Sequence, residues 1–237
     1  MLCKPPTLIP RPETEELVDY ILKSNVLQNI VENQKRNPVI LDIGAGTGVI
    51  GIALAKYIPT AIVNALDIKE EAVNLLNENA KLVLVDEENN LMKGVNGGNN
   101  SIVSRKSRYE CRLQNFLDFS NLTSEYGLYD IIVSNPPYIP SIEMITLQSE
   151  VGDFEDHTAL HGGEDGMDMI RDIILHSKKL LNPGGPREVW LEVSREHPAA
   201  IELWLMEDKS TQKGMFEFVE SIVDMSGHPR FVRLRAV

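Results

Sequence analysis

The chain has 237 residues, 43% of them hydrophobic, and carries 35 acidic against 23 basic side chains, for a formal charge of −12 and a pI near 4.9. That length suits one domain with a substantial core, and the acidic balance argues against a general nucleic-acid surface, which needs clustered Lys and Arg to neutralise phosphate. Cys3 and Cys111 show no metal-type spacing and form no disulfide framework, which fits a reduced intracellular compartment; no apolar run reaches the roughly 18 residues of a membrane span, and the N-terminus lacks signal or transit character.

Taken in chain order, "IPRPETE" precedes Leu17, Val18, Ile21, Leu22, Val26, Ile30 and Val31 at helical spacing, which predicts one helix from Glu15 to about Glu32. We expect residues 1–36 to form an N-terminal segment and helix, and residues 37–237 the main domain. "PVILDIG" (38–44) is a β-branched run stopped by glycine, as a buried parallel strand requires, and "VIGIALAKY" then reads as a helix. "AIVNALDI" (61–68) is the next strand and "KEEAVNLLNENAKLV" the next helix, giving a βαβ unit with its right-handed crossover.

Residues 86–107 are poor in apolar side chains and rich in Asn and Gly, which predicts a flexible insertion. Arg105, Lys106 and Arg108 beside it read as a solvated loop with no role. "YECRLQ" and "YDIIVSN" resume as strands, a loop-rich stretch runs from Pro136 to Gly166, and a helix is expected near Met167 to Leu181. The turn "NPGG", the strand "REVWLEV", a helix over 197–206 and a terminal hairpin about Ser-Gly-His-Pro complete the chain. The whole predicts an α/β fold: a doubly wound, mostly parallel seven-stranded sheet with an antiparallel edge hairpin.

"LDIGAGTGVIG" sets Gly44, Gly46 and Gly48 between a strand and a helix, where a backbone without Cβ admits a ligand closely. Gly46, Gly48 and Gly51 also satisfy the dinucleotide pattern, yet Asp42, two residues before the first glycine, would repel a pyrophosphate at the helix N-terminus. S-adenosylmethionine suits the loop better, having no phosphate, a cationic sulfonium and an ammonium that the nearby acid Asp42 can offset, which makes Asp42 an expected cofactor contact. Asp67 ends the second strand nineteen residues after Gly48, where a carboxylate can accept both ribose hydroxyls.

In "VSNPPYIP", Pro136 and Pro137 fix their own φ and hold Asn135 and Tyr138 at set angles. Ligands of such a sheet bind beyond the carboxyl ends of its strands, so this turn shares a rim with Gly44–Gly48 and Asp67. An amide or exocyclic amine nitrogen is a poor nucleophile, and what the turn can supply is geometry. The Asn135 side-chain oxygen and the Pro136 carbonyl each accept one N–H, and Tyr138 walls a planar acceptor. His157 and His161, among Asp153, Glu155, Asp156 and Glu164, could be read as a metal cluster, but a polar loop lining the cleft is the preferred reading and no metal is expected.

"IPRPETE", "LDIGAGTG", "LDI" around Asp67, "VSNPPYIP", "ALHGGEDGMDMIRDI" and "SGHPRF" together resemble the HemK-like protein N5-glutamine methyltransferases, most closely their mitochondrial branch. The resemblance covers the chain outside the insertion. It implies a class I S-adenosylmethionine-dependent methyltransferase of Rossmann-like fold that methylates the glutamine of the Gly-Gly-Gln motif in a class I peptide-chain release factor. It also implies cofactor contacts from Gly44, Ala45, Gly46, Thr47, Gly48, Asp67, Ile68, Asn115, Phe116 and Asn135, with Asn135, Pro136, Pro137 and Tyr138 gripping the acceptor amide. Phe116 stands where the family often has tryptophan, Asn115 where it often has an acid, and Asp156 follows Glu155 where the family has proline. The family's preceding helical domain has no counterpart in this chain, which starts just before "IPRPETE". A monomer without nucleic-acid or membrane partners is expected, located in the mitochondrial matrix or alternatively the cytoplasm. An adenine-N6 nucleic-acid methyltransferase and a non-catalytic methyltransferase-like partner subunit are the competing readings.

Overall fold

The structure is a computed structural model that describes residues 1–84, 100–103, 108–122, 127–145, 156–207 and 214–237. The α-helices are α1 (Pro12–Lys23), α2 (Val26–Asn33), α3 (Val49–Tyr57), α4 (Glu70–Leu84), α5 (Phe116–Leu122), α6 (Ser141–Met144), α7 (Asp168–Ser177) and α8 (His197–Met206). The strands are β1 (Val39–Ile43), β2 (Ile62–Asp67), β3 (Asn100–Val103), β4 (Arg108–Leu113), β5 (Ile131–Ser134), β6 (Glu188–Glu192), β7 (Phe216–Val223) and β8 (Pro229–Ala236). They form one sheet in the order β3-β4-β2-β1-β5-β6-β8-β7. The run from β4 to β6 is parallel, β8 lies antiparallel to β6 and β7, and β3 lies antiparallel to β4. The seven expected strands and the edge hairpin are therefore present. The eighth, β3, comes from within the stretch read as an insertion, the rest of which, with Arg105 and Lys106, lies outside the described residues.

β1 is buried on both faces, and period-two alternation divides its side chains between two cores. Ile40 joins Leu17, Ile21, Ile52, Leu54 and Val63 beneath α1–α4, while Leu41 and Ile43 join Phe116, Ile170 and Ile173 beneath α5 and α7. The predicted continuous helix over 15–32 is two helices, because Asn25 adopts the left-handed conformation at φ 58°. The Ser24 hydroxyl donates to the Ile21 carbonyl at 2.7 Å and so ends α1 locally, although the apolar periodicity runs through the break. At the amino end of the sheet Arg36 grips fully buried Asp130 through both guanidinium nitrogens, at 2.5 and 2.6 Å. Asp130 also accepts the Val39 amide at 2.9 Å, so one carboxylate fixes the starts of β1 and β5.

Chain order reverses across β1: the path runs outward through β2 and β4, then returns to β5 on its other side. The crevice beyond the carboxyl ends at that reversal is where an open α/β sheet binds its ligands.

Candidate functional site

The glycine loop leaves β1 at Gly44 and enters α3 at Val49. The Ala45 amide donates to the Leu66 carbonyl at 3.0 Å, which ties the loop to the end of β2. Gly46 has φ 55°, and among the described residues a Cβ there would meet only the Thr7 methyl, at 3.9 Å, so this backbone lies open to a ligand. Asp67, closing β2, accepts the Gly46 amide on Oδ2 and the Lys69 amide on Oδ1, each at 2.9 Å. Burial raises its pKa above the ordinary carboxylate value, against the pull of those amides.

These residues line a cleft of about 200 Å³ together with Ile68, Asn115, Phe116, Asn135 and Pro137. Its other wall is the N-terminal segment, through Pro6, Thr7, Leu8 and Pro10. The buried Asn79 side chain of α4 accepts the Leu2 amide at 2.6 Å and donates at 3.0 Å to both the Leu2 and Thr47 carbonyls, stitching that segment to the glycine loop. Lys69 and Asp156, which also line the cleft, form an ion pair at 2.9 Å, and the Asp156 amide donates to the Pro6 carbonyl.

A second cleft, of about 180 Å³, is lined by Leu8, Arg11, Asn135, Pro136, Tyr138, Ile139, Ala159 and Leu160. Among the described residues Leu8, Asn135 and Ala159 face both clefts, and of these Asn135 has a polar side chain. The turn that carries it is clamped by residues 160–163. Ile139 donates to the Leu160 carbonyl and accepts from Gly162, each at 2.9 Å. A Cβ at Gly162 would stand 2.8 Å from the Pro137 carbonyl oxygen, which accounts for glycine in "HGGEDG". The Tyr138 hydroxyl accepts from Arg230 at 3.3 Å, and burial raises its pKa.

The structure thus gathers Gly44, Ala45, Gly46, Thr47, Asp67, Ile68, Asn115, Phe116 and Asn135 about one cleft, and Asn135, Pro136 and Tyr138 about the other. Two expected cofactor residues stand apart. Asp42 is turned beneath α3, 1% exposed, where its Oδ2 accepts the Gly51 amide at 2.9 Å. Its pKa rises to about 7, chiefly through burial, and the reason for the misplacement is strand parity: Asp42 shares the face of Ile40. Gly48 serves as the left-handed N-cap of α3 and does not line the cleft. Asn115 reaches the cleft, but its side-chain oxygen accepts from the Leu117 amide at 2.8 Å and so caps α5. Asp153 and Glu155 lie outside the described residues, and among the described ones no three His, Cys, Asp or Glu side chains gather as a metal would need.

Sequence reasoning gave no individual role to Thr14, Lys69 or Glu192. Thr14 stands within the quoted "RPETE", and Glu192 closes the strand "EVWLE" as an acid next to its apolar run, which was the available signal.

The methyltransferase small domain family matches residues 21–147. The human MTRF1L release factor glutamine methyltransferase is 33% identical over 98% of this chain and 61% of its own. The release factor glutamine methyltransferase of Thermosynechococcus vestitus is 32% identical over 98% of this chain and 68% of its own. The chain therefore spans about two thirds or less of the length of these relatives. Two solved structures share the fold: a human methyltransferase 10 domain containing protein, with a TM-score of 0.58 at 14% identity over 97% of this chain and 84% of its own. The other is a putative RNA methyltransferase of Pyrococcus horikoshii, with a TM-score of 0.55 at 16% identity over 98% and 86%.

Proposed function

The chain belongs to the release factor glutamine methyltransferase family, and from that membership we propose that it methylates N5 of the glutamine in the Gly-Gly-Gln motif of a class I peptide-chain release factor. The observation that carries this reading is the placement of Asn135 on the wall common to the two clefts.

The first cleft fits S-adenosylmethionine: open backbone at Gly46, a half-buried carboxylate at Asp67 for hydroxyls, and the apolar sides of Ile68 and Phe116 for a planar base. When bound, that cofactor supplies an electrophilic methyl group next to a sulfonium. The protein's own part is to hold the acceptor. An amide nitrogen is a weak nucleophile because its lone pair is delocalised, so rate comes from orientation. The Asn135 Nδ2 donates to the Thr14 hydroxyl at 3.3 Å, which leaves Oδ1 to accept one N–H of the glutamine amide. Tyr138 and Pro136 wall its plane, and Leu8, Ala159 and Leu160 exclude water around it. The same reading includes a monomeric enzyme without nucleic-acid or membrane partners, located in the mitochondrion; no helix among the described residues is long and apolar enough to cross a membrane.

The test is transfer of labelled methyl from S-adenosylmethionine to a purified class I release factor, beside a Gln→Ala form of its motif and an Asn135→Ala enzyme. The expected result is label on the native factor alone, with Asn135→Ala slowed more than about 100-fold. Label persisting on the Gln→Ala factor would overturn the reading, and so would cofactor binding with no transfer to either factor.

A further inference from the structure

Directly behind Asn135 lies a carboxylate that the proposed chemistry does not use. β5 and β6 are parallel with Ser134 opposite Leu191, so one step further along the register sets Asn135 beside Glu192. Glu192 is wholly excluded from solvent. Thr14 and Asn135 stand against its carboxylate closely enough to favour its ionised form, although among the described residues neither oxygen closes a hydrogen bond of ordinary geometry. The groups facing it come from three elements or their ends: Thr14 and Glu13 on α1, Asn135 and Tyr138 on the turn after β5, and Arg230 on β8. Arg230 favours the charge, whereas burial and Glu13 oppose it.

We propose that Glu192 is a positioning residue that fixes the direction of the Asn135 side-chain amide through Thr14 and by direct contact. The inference rests on the reading above, in which the Asn135 oxygen receives the N–H of the acceptor. An ionised carboxylate only accepts hydrogen bonds. Facing it, the Thr14 hydroxyl must donate inward, and its lone pairs then face the Asn135 NH2, in agreement with the Nδ2 to Oγ1 bond at 3.3 Å. Every donor of that chain points toward Glu192, so the amide oxygen can point only outward, to the clefts. A neutral group at 192 removes this polarity, because a protonated acid or an amide can also donate and thereby stabilise the amide turned over, with NH2 outward. The flipped amide offers a donor where the acceptor nitrogen also offers donors.

The experiment, run at pH 8.5 where the carboxylate of Glu192 is ionised, compares wild type with Glu192→Gln, Thr14→Val and Thr14→Ser by two readouts. The first is the side-chain 15N–1H signal of Asn135 in the cofactor-bound protein, assigned by its loss in Asn135→Ala. We expect Glu192→Gln and Thr14→Val to move this signal in the same sense, and Thr14→Ser, which keeps the hydroxyl, to leave it near wild type. The second is methyl transfer to the release factor. There kcat falls about 10- to 100-fold in Glu192→Gln and in Thr14→Val, the double variant is no worse than either single one, and in Glu192→Gln, which lines neither cleft, the dissociation constant for S-adenosylmethionine stays within about threefold of wild type. An unmoved Asn135 signal in Glu192→Gln, or additive losses in the double variant, overturns the inference. Should wild type transfer nothing to the factor, the functional reading fails and the Asn135 signal still decides the role of Glu192. Should Glu192→Gln not fold, Thr14→Val carries both readouts.

Discussion

Asp42→Asn tests whether this acid is a ligand contact or a buried charge, and the two roles separate by pH. Asp42 is 1% exposed, Oδ2 accepts the Gly51 amide and Oδ1 has no partner among the described residues. Burial and the nearby Asp67 raise its pKa from 3.8 to about 7. An acid raised by folding stabilises the fold fully below its unfolded value, and that stability is lost as pH rises through its folded value. A tenfold change in proton affinity is worth about 1.4 kcal/mol, so the full loss is bounded at roughly 4 kcal/mol. About half of it, ~2 kcal/mol, falls between pH 5.5 and 8.5. At the acidic end the neutral carboxyl and the amide are close in shape and hydrogen bonding, so the cost of the substitution itself cancels from the comparison. Urea unfolding followed by circular dichroism should find that Asp42→Asn gains ~2 kcal/mol relative to wild type on going from pH 5.5 to 8.5, or about 4–8 °C in Tm for a domain of this size. Affinity for S-adenosylmethionine should stay within about threefold of wild type. A difference that does not change with pH refutes the burial account, and loss of cofactor binding in a folded variant restores Asp42 to the cleft.

Three further outcomes follow from the geometry. At Gly48, with φ 82°, a Cβ would lie 2.7 Å from the Ile52 Cδ1 and 3.0 Å from the Leu76 Cγ, so Gly48→Ala should cost about 2–4 kcal/mol of stability. Gly46→Ala, whose Cβ enters open cleft, should cost only about 1 kcal/mol while weakening S-adenosylmethionine binding more than about tenfold; thermal melts and calorimetric titration distinguish the pair, and equal melts would refute the packing argument. Asp156→Asn removes the partner of Lys69 across the rim and should release the cofactor about two- to fivefold faster at low salt, with the difference vanishing near 1 M salt in stopped-flow measurements. A rate unchanged at low salt would count against the pair as a latch.

What the sequence disclosed and what it withheld divide along the range of the forces involved. Runs such as "VILDI" and "IIVS" announce buried parallel strands because both faces of each must be apolar, and the order of those runs with their helices leaves few topologies. Once the topology is right, the loop after β1, the acid ending β2 and the turn after β5 must share a rim, so most of the lining of the first cleft was legible in the sequence. The break at Asn25 was not, since a single left-handed residue leaves the 3.6-residue rhythm of apolar side chains intact on either side of it. Nor was the direction of Asp42, which depends on what covers the Ile40 face of β1, a fact settled by where α3 lands. Glu192 shows the same limit from the opposite side. Its charge within "EVWLE" marks it as an exception to burial, but its meaning needs three segments brought together, with Thr14 more than a hundred residues away in sequence. A buried charge that folding opposes, set against a residue that must point one way, is where a protein accepts local instability to keep a site oriented. That expectation makes the stability and activity of Glu192→Gln move in opposite directions. Burial holds the pKa of Glu192 near 7, up from 4.5, so removing the charge should stabilise the fold above pH 7 by up to roughly 3 kcal/mol while slowing transfer. Melts at pH 8.5 in which Glu192→Gln is the less stable protein would show instead that the attraction of Arg230 for its charge outweighs its burial.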